Sequence, residues 1–303
     1  ILVTGTNADE EVQLDVGLLK FIHPNFRLEA SNFEIVTIDG RGGKDTSILT
    51  DSPNDDRFKA DPITAVLSGP GFVHTLTNFE GNFAYARNGG KDLAELYDSN
   101  GNDVFVAEDN SYINRAKFFY SAHGYSKGDG YDTAKFEDTP GRDRLKIQGH
   151  EVRLFNDQGY FVRSKFFDNV TVNAKNGGND WIEMYDTSGD DYAVVIPRRV
   201  DFTAAAGLGS NVVARGFEDV YARSRNGTND FDTIEIHGTT LDDNLLMIGG
   251  QAWVTGHMKV NATNWNHVKA YGGGGNDIAE IHDAVIEQAT GELTAVRSPK
   301  TRM

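Results

Sequence analysis

The stretch Phe167–Val195, FDNVTVNAKNGGNDWIEMYDTSGDDYAVV, and the stretch Phe79–Ala107, FEGNFAYARNGGKDLAELYDSNGNDVFVA, share one frame. Each runs aromatic, short strand, Gly-rich turn, Asp, strand, Asp, turn, Asp, strand. The frame opens again at Phe33, Phe119, Phe217 and Trp265, which makes about six copies of a repeat of roughly 40–52 residues. Acidic residues within a copy keep offsets of six and then five: Asp45, Asp51 and Asp56; Asp92, Asp98 and Asp103; Asp132, Asp138 and Asp143; Asp180, Asp186 and Asp191. The fifth copy keeps Asp232 and Asp243 around Gly238, and the sixth keeps Asp277 and Asp283. Spacing this rigid marks short strands between sharp turns.

Between these Asp residues the apolar positions alternate with period two, as in strands with one buried face. Ala94 and Leu96, Ala134 and Phe136, Ile182 and Met184, Ile234 and Ile236, and Ala279 and Ile281 share the inward phase after the first Asp. After the third Asp the same phase holds Phe105 and Ala107, Leu145 and Ile147, Ala193 and Val195, and Leu245 and Met247, so a second wall is buried as well. GG, NG and GD corners suit positive φ, and small inward Ala residues suit a narrow stacked core. The expected fold is therefore all-β, a right-handed parallel β-helix, or solenoid. A coil of about 20–25 residues makes each repeat roughly two coils and the chain about a dozen, each rising ~4.8 Å. The opening aromatics are expected to form an internal ladder. Residues 1–32 read as a partial repeat or an N-terminal cap, and 33–303 as the repeat array, with starts near 33, 79, 119, 167, 217 and 265. Both ends look like boundaries within a longer array, and the start at Ile1 without a signal-peptide pattern suggests a processed protein or a fragment.

Composition narrows the partners. A formal net charge of −16, with no cluster of Lys and Arg, excludes phosphate-directed nucleic-acid binding and favours bound cations. No apolar run approaches the roughly 20 residues of a membrane-spanning helix. Zero Cys removes disulfides, thiolate metal sites and a Cys nucleophile, and secreted bacterial proteins often lack disulfides. The expected location is extracellular, or on a bacterial cell surface.

Corner carboxylates brought together by stacking repel one another unless a hard cation with oxygen ligands lies between them. Asp and Asn at turns also hydrogen-bond their own backbone and need no metal. The segment GGGGNDIAE, Gly272–Glu280, resembles the hemolysin-type (RTX) calcium-binding repeat GGxGxDxUx, with Ala279 at the large apolar position; NGGKDLAEL and SNGNDVFV match in part. That resemblance implies calcium held between turns by Asp carboxylates and loop carbonyls in a secreted protein. That family sets its nonapeptides in tandem, whereas here they recur once per repeat. The candidate calcium ligands are Asp45, Asp92, Asp98, Asp103, Asp180, Asp186, Asp191, Asp232 and Asp277.

The outward phase of the strand after the first Asp carries carboxylates beside rings: Glu95 and Tyr97; Trp181, Glu183 and Tyr185; Glu235 and His237; Glu280 and His282. Such a stripe suits stacking on sugar rings, and paired carboxylates suit acid and base roles on a glycosidic bond. It equally describes a solvated charged wall or one covered by another subunit. The eight His show no metal-ligand spacing, and no GxSxG, P-loop or HExxH element is present. No catalytic residue is assigned. The expected function is a non-catalytic, calcium-stabilised surface or secreted module for structure or adhesion, able to self-associate. The alternative is a polysaccharide-binding or polysaccharide-degrading β-helix, a lyase or hydrolase.

Overall fold

The computed structural model describes residues 1–107, 114–117, 119–225, 230–248, 250–256, 258–282, 285–289 and 292–296, so Asp283 lies outside the described residues. The described residues contain strands and turns and no helix, and hence no helix long and apolar enough to cross a membrane. The strands stack as a β-solenoid of about seven turns.

Two compact units divide the chain. In the first, Ile1–Ala134 with Gly159–Lys165, one sheet takes its strands in the order Leu2–Thr4, Ile35–Asp39, Phe72–Thr77, Thr64–Gly69, Arg57–Ala60, Leu93–Tyr97, Ser121–Tyr125 and Phe161–Lys165. The other runs Asn114–Lys117, Gly81–Tyr85, Thr46–Thr50, Glu11–Asp15, Leu18–His23 and Phe26–Ser31. In the second unit, Lys135–Gln158 with Phe166–Met303, one sheet runs Glu151–Asn156, Asp143–Gln148, Trp181–Tyr185, Asp219–Arg223, Lys259–Thr263, Gln251–Thr255, Asn244–Ile248 and Ile278–His282. Its partner includes Asn169–Asn173, Asn211–Arg215, Arg199–Thr203, Tyr192–Ile196, Thr233–His237 and His267–Tyr271.

Parallel neighbours occupy the same place on successive turns, as the acidic frame demands. Arg144 to Gln148 pair with Trp181 to Tyr185, and those pair in turn with Asp219 to Arg223. Antiparallel hairpins interrupt this rule. Arg57–Ala60, Thr64–Gly69 and Phe72–Thr77 fold back on one another, as do Tyr192–Ile196, Arg199–Thr203 and Asn211–Arg215. Their tight loops need positive φ, supplied by Gly71 at 86° and by Arg198 at 62°. The inserted hairpins correct the expected coil length. Parallel partners lie between 28 residues apart, Leu93 with Ser121, and 42 apart, Asn169 with Asn211. A turn therefore takes about 28–42 residues, above the expected 20–25, and there are about seven turns instead of about a dozen.

The inward phase follows the sequence pattern. Ala94, Ala134, Phe136, Ile182, Met184, Ile234, Ile236, Leu145, Ile147, Ala193 and Val195 are buried. Burial fails along Ile278–His282, the last strand of its sheet, where Ile278 is 64% exposed. Of the opening aromatics, Phe79, Phe167, Phe217 and Trp265 are buried, Phe119 is half-buried, and Phe33 is 40% exposed. The chain start behaves as part of a turn: Glu11 to Leu14 pair in parallel with Thr46 to Leu49, and two antiparallel strands extend the sheet beyond them.

Corner glycines answer to stacking as much as to φ. A Cβ on Gly178 (φ 120°) would sit 2.1 Å from the Gly141 carbonyl oxygen one turn away, and one on Gly90 (φ 97°) 2.2 Å from the Asn54 carbonyl oxygen. Gly177 (φ 93°) has nothing within 4 Å. Gly177→Ala is expected to cost roughly 1 kcal/mol, the conformational penalty alone. Gly178→Ala adds an overpacking clash and is expected to cost at least about 3 kcal/mol. Denaturant melts of the two neighbouring variants check this; equal losses would mean that turns do not approach closely at this corner.

Candidate functional site

Each described Asp of the frame has a fixed hydrogen-bonding task. The first accepts the backbone N–H of the third Asp on the preceding turn: Asp56 N–H donates to Asp92 Oδ1 (2.8 Å), Asp103 to Asp132 (2.8 Å), Asp143 to Asp180 (2.7 Å), Asp191 to Asp232 (3.0 Å) and Asp243 to Asp277 (3.0 Å). The second accepts N–H groups from the following turn. Arg87 and Asn88 donate to Asp51, Lys127 and Gly128 to Asp98, Lys175 and Asn176 to Asp138, and Arg225 to Asp186. The third closes its own corner by accepting from the residue four positions earlier, whose N–H and hydroxyl both donate: Ser52 to Asp56, Ser99 to Asp103, Thr139 to Asp143, Thr187 to Asp191 and Thr239 to Asp243.

These Ser and Thr residues were not singled out from the sequence. Their signal was present, because each stands directly after the second Asp, or after Gly238 in the fifth copy. The residue after the opening aromatic was missed too: Glu80 accepts the Asp45 N–H (2.7 Å), Glu218 the Asp180 N–H (2.8 Å) and Asn266 the Asp232 N–H (3.1 Å).

Nearly all of the frame Asp carboxylates are buried; Asp98 and Asp103 are half-buried and Asp277 is exposed. Burial raises the Asp180 and Asp232 carboxyls to about 6, against the bonds from the Asp143 and Asp191 amides that favour the ionised form. Asp45 also rises to about 6 through burial and the adjacent Glu10 carboxylate, while its Oδ1 accepts the Glu10 N–H (2.8 Å). Asp92, Asp143 and Asp191 are raised, again chiefly by burial.

Three sets of carboxylates converge so that one oxygen of each residue lies within 4.8 Å of the others: Asp51, Asp56 and Asp92; Asp98, Asp103 and Asp132; Asp186, Asp230 and Asp232. Such groups can hold a metal ion. Among the sequence candidates, Asp92, Asp98, Asp103, Asp186 and Asp232 belong to these sets; among the described residues, Asp45, Asp180, Asp191 and Asp277 do not. Asp230 was missed because it precedes the frame position by two residues.

The outward stripe differs from a solvated platform. Glu95 and Tyr185 are buried, and the carboxylates are paired across turns: Glu95 with Arg57, Glu183 with Arg144, Glu137 with Lys175, and Glu235 with Lys269 at 2.8 Å. Burial pushes the Glu183 carboxyl up, but the bond and charge of Arg144, with the Tyr185 hydroxyl and the Arg223 charge, together outweigh it and hold the group below its ordinary range. Glu235 is likewise lowered, by the Lys269 bond. Rings are covered by cations or other rings. Arg142 lies over Trp181 (4.3 Å), Arg225 over Tyr185 (3.6 Å), and Tyr271 stacks on His237 (4.5 Å). At the exposed strand end Glu280 and His282 face each other, 2.7 Å apart.

Within the first unit, Tyr97 and Tyr125 stack at 4.8 Å, with Lys127 4.5 Å and Lys59 5.2 Å from the Tyr97 ring. Tyr97, Lys59 and Lys127 line a groove of about 530 Å³ that also takes in Ile63 and Asp98. Neither a protein-family model nor a curated protein matches the chain.

The raised carboxyls carry a pH signature. A buried Asp at about 6 in the fold and at about 3.9 in the unfolded chain contributes stability that is complete below the lower value and is lost as pH rises through about 6. Asp180→Asn keeps an acceptor oxygen for the Asp143 N–H and removes that titration. Chelator-treated Asp180→Asn is expected to lose less stability than the parent between pH 5 and pH 7, read as melting temperature; parallel curves would contradict the assignment.

Proposed function

We propose that this chain is a non-catalytic module of a secreted or surface-exposed bacterial protein, serving structure or adhesion and stabilised by calcium at its acidic corners. The observation that carries this reading is the pairing of the outward carboxylates. Glu95, Glu183 and Glu235 each bond a cation from an adjacent turn, which ties them into the wall, and Glu183 and Glu235 are held below the ordinary carboxyl range, away from acid and base duty. The same side chains act as struts between turns.

Calcium is favoured by two features together. The carboxylate triads supply the hard oxygen ligands that calcium takes. The corner GGGGNDIAE adds the resemblance to the hemolysin-type repeat, in which secreted proteins hold calcium between turns. Self-association through open sheet ends accords with the exposed strand Ile278–His282.

A second reading, polysaccharide binding, is favoured by one place. The stacked Tyr97 and Tyr125 rings beside the Lys59 and Lys127 ammonium groups suit an acidic sugar, ring on ring and carboxylate on ammonium.

Two readouts on one preparation test these readings. Chelator is expected to lower the melting temperature of the full chain, with recovery on adding calcium; an unchanged midpoint removes calcium from the account. Incubation with uronic-acid polymers is expected to yield no unsaturated product. Retention of such a polymer by the parent and its loss in Tyr97→Ala would move the assignment to the second reading.

A further inference from the structure

The three carboxylate triads are not equivalent. In the first, every member has a donor: Asp51 takes Arg87 and Asn88 amides, Asp56 takes Ser52, and Asp92 takes the Asp56 amide. In the second, Asp98 takes the Lys127 and Gly128 amides, Asp103 takes Ser99, and Asp132 takes the Asp103 amide and the Ser126 hydroxyl (2.7 Å). Both corners are built as hydrogen-bond junctions.

The third triad carries a surplus acid. Asp186 accepts the Arg225 amide (2.8 Å), Asp232 accepts the Asp191 amide (3.0 Å), and the Ser224 hydroxyl lies 3.0 Å from a carboxylate oxygen of each. Among the described residues, Asp230 has no such partner. It is 5% exposed, both of its carboxylate oxygens are buried without a hydrogen bond, and one of them lies within 4.8 Å of the Asp186 and Asp232 ligand atoms. An ionised carboxylate out of water with no donor is among the costliest arrangements in a protein, and two further carboxylates at this range add repulsion. The Ser224 hydroxyl, with one proton to give, cannot offset three negative charges.

A doubly charged cation removes that cost. Three carboxylate oxygens within 4.8 Å of one another can close on one ion; calcium takes such an irregular oxygen set at about 2.3–2.6 Å, whereas magnesium requires about 2.0–2.1 Å and a regular octahedron. We infer that Asp186, Asp230 and Asp232 form a discrete divalent-cation site, selective for calcium, in which Asp230 serves as ligand and has no other structural task. This rests on the calcium reading above and narrows it to one corner. The ion joins Asp186, at the end of one strand, to Asp230 and Asp232, which lead into the parallel neighbour of the strand Tyr192–Ile196.

Asp230→Asn separates the site from the fold, because it alters no frame Asp and none of the Ser224 bonds. The full chain, stripped with EDTA, is titrated with calcium chloride alone and, separately, with magnesium chloride at neutral pH, and the bound ions are counted by calorimetry. The expected result is one calcium fewer per chain in Asp230→Asn than in the parent, with no matching magnesium uptake. Without calcium the variant is expected to melt at or above the parent, since an uncompensated buried charge has gone. An unchanged calcium count in the variant, with the parent still binding, overturns this site and leaves the calcium reading standing. A parent that binds no calcium overturns both. A variant that melts below the parent in chelator also overturns the assignment, because Asp230 would then carry a structural bond.

Discussion

The molecule depends on one interaction, the bond from a backbone N–H at a corner to an Asp carboxylate on the neighbouring turn. At a corner the chain leaves the sheet ladder, and its amides lose the strand partner that would satisfy them. Asp92, Asp132, Asp180, Asp232 and Asp277 each restore that partner for an amide of the preceding turn. A hydrogen bond to a charged group contributes about 1.5–3 kcal/mol, and a buried amide left unmet costs a comparable amount. Exposed ion pairs typically contribute about 0.2–1 kcal/mol. The corners therefore outweigh the charged wall, and pairs such as Glu183 with Arg144 add to a register already set by the Asp frame.

This arrangement concentrates negative charge where the chain can least solvate it. The frame carboxylates are held by amide and hydroxyl donors, and burial still lifts Asp45, Asp180 and Asp232 to about 6. The fold thus sits near a balance that protons or a divalent cation can tip, in opposite pH directions, because protonation relieves repulsion and also removes the ligand. The net charge of −16 adds a repulsive background that calcium would reduce.

The frame was legible because its physics is local. Asp spacings of six and five, the period-two alternation and the GG corners led to strands, turns and buried faces at Ile182, Met184, Leu145 and Ile147, where the structure places them. The hairpins were not legible by that route. Thr64–Gly69 and Phe72–Thr77 carry the same alternation as the stacked strands, and only the Pro70-Gly71 loop marks their reversal. Turn length was underestimated for this reason. The outward stripe was read as solvent-facing because a strand pattern gives the phase of a side chain but not what the next turn lays over it. Arg142 over Trp181 and Arg225 over Tyr185 come from positions about 40 residues away. Asp230 escaped notice because its importance lies in the donors it lacks, which no spacing reveals.

Amide hydrogen exchange of the native chain tests the dependence on carboxylate-to-amide bonds most directly. The Asp56 and Asp143 amides, though at corners, are expected to exchange as slowly as those inside the strands, and Asp92→Ala is expected to release the Asp56 amide while leaving the Asp143 amide protected. Fast exchange of these amides in the parent, or protection at Asp56 that survives the loss of Asp92, would show that something other than the acidic frame holds successive turns together.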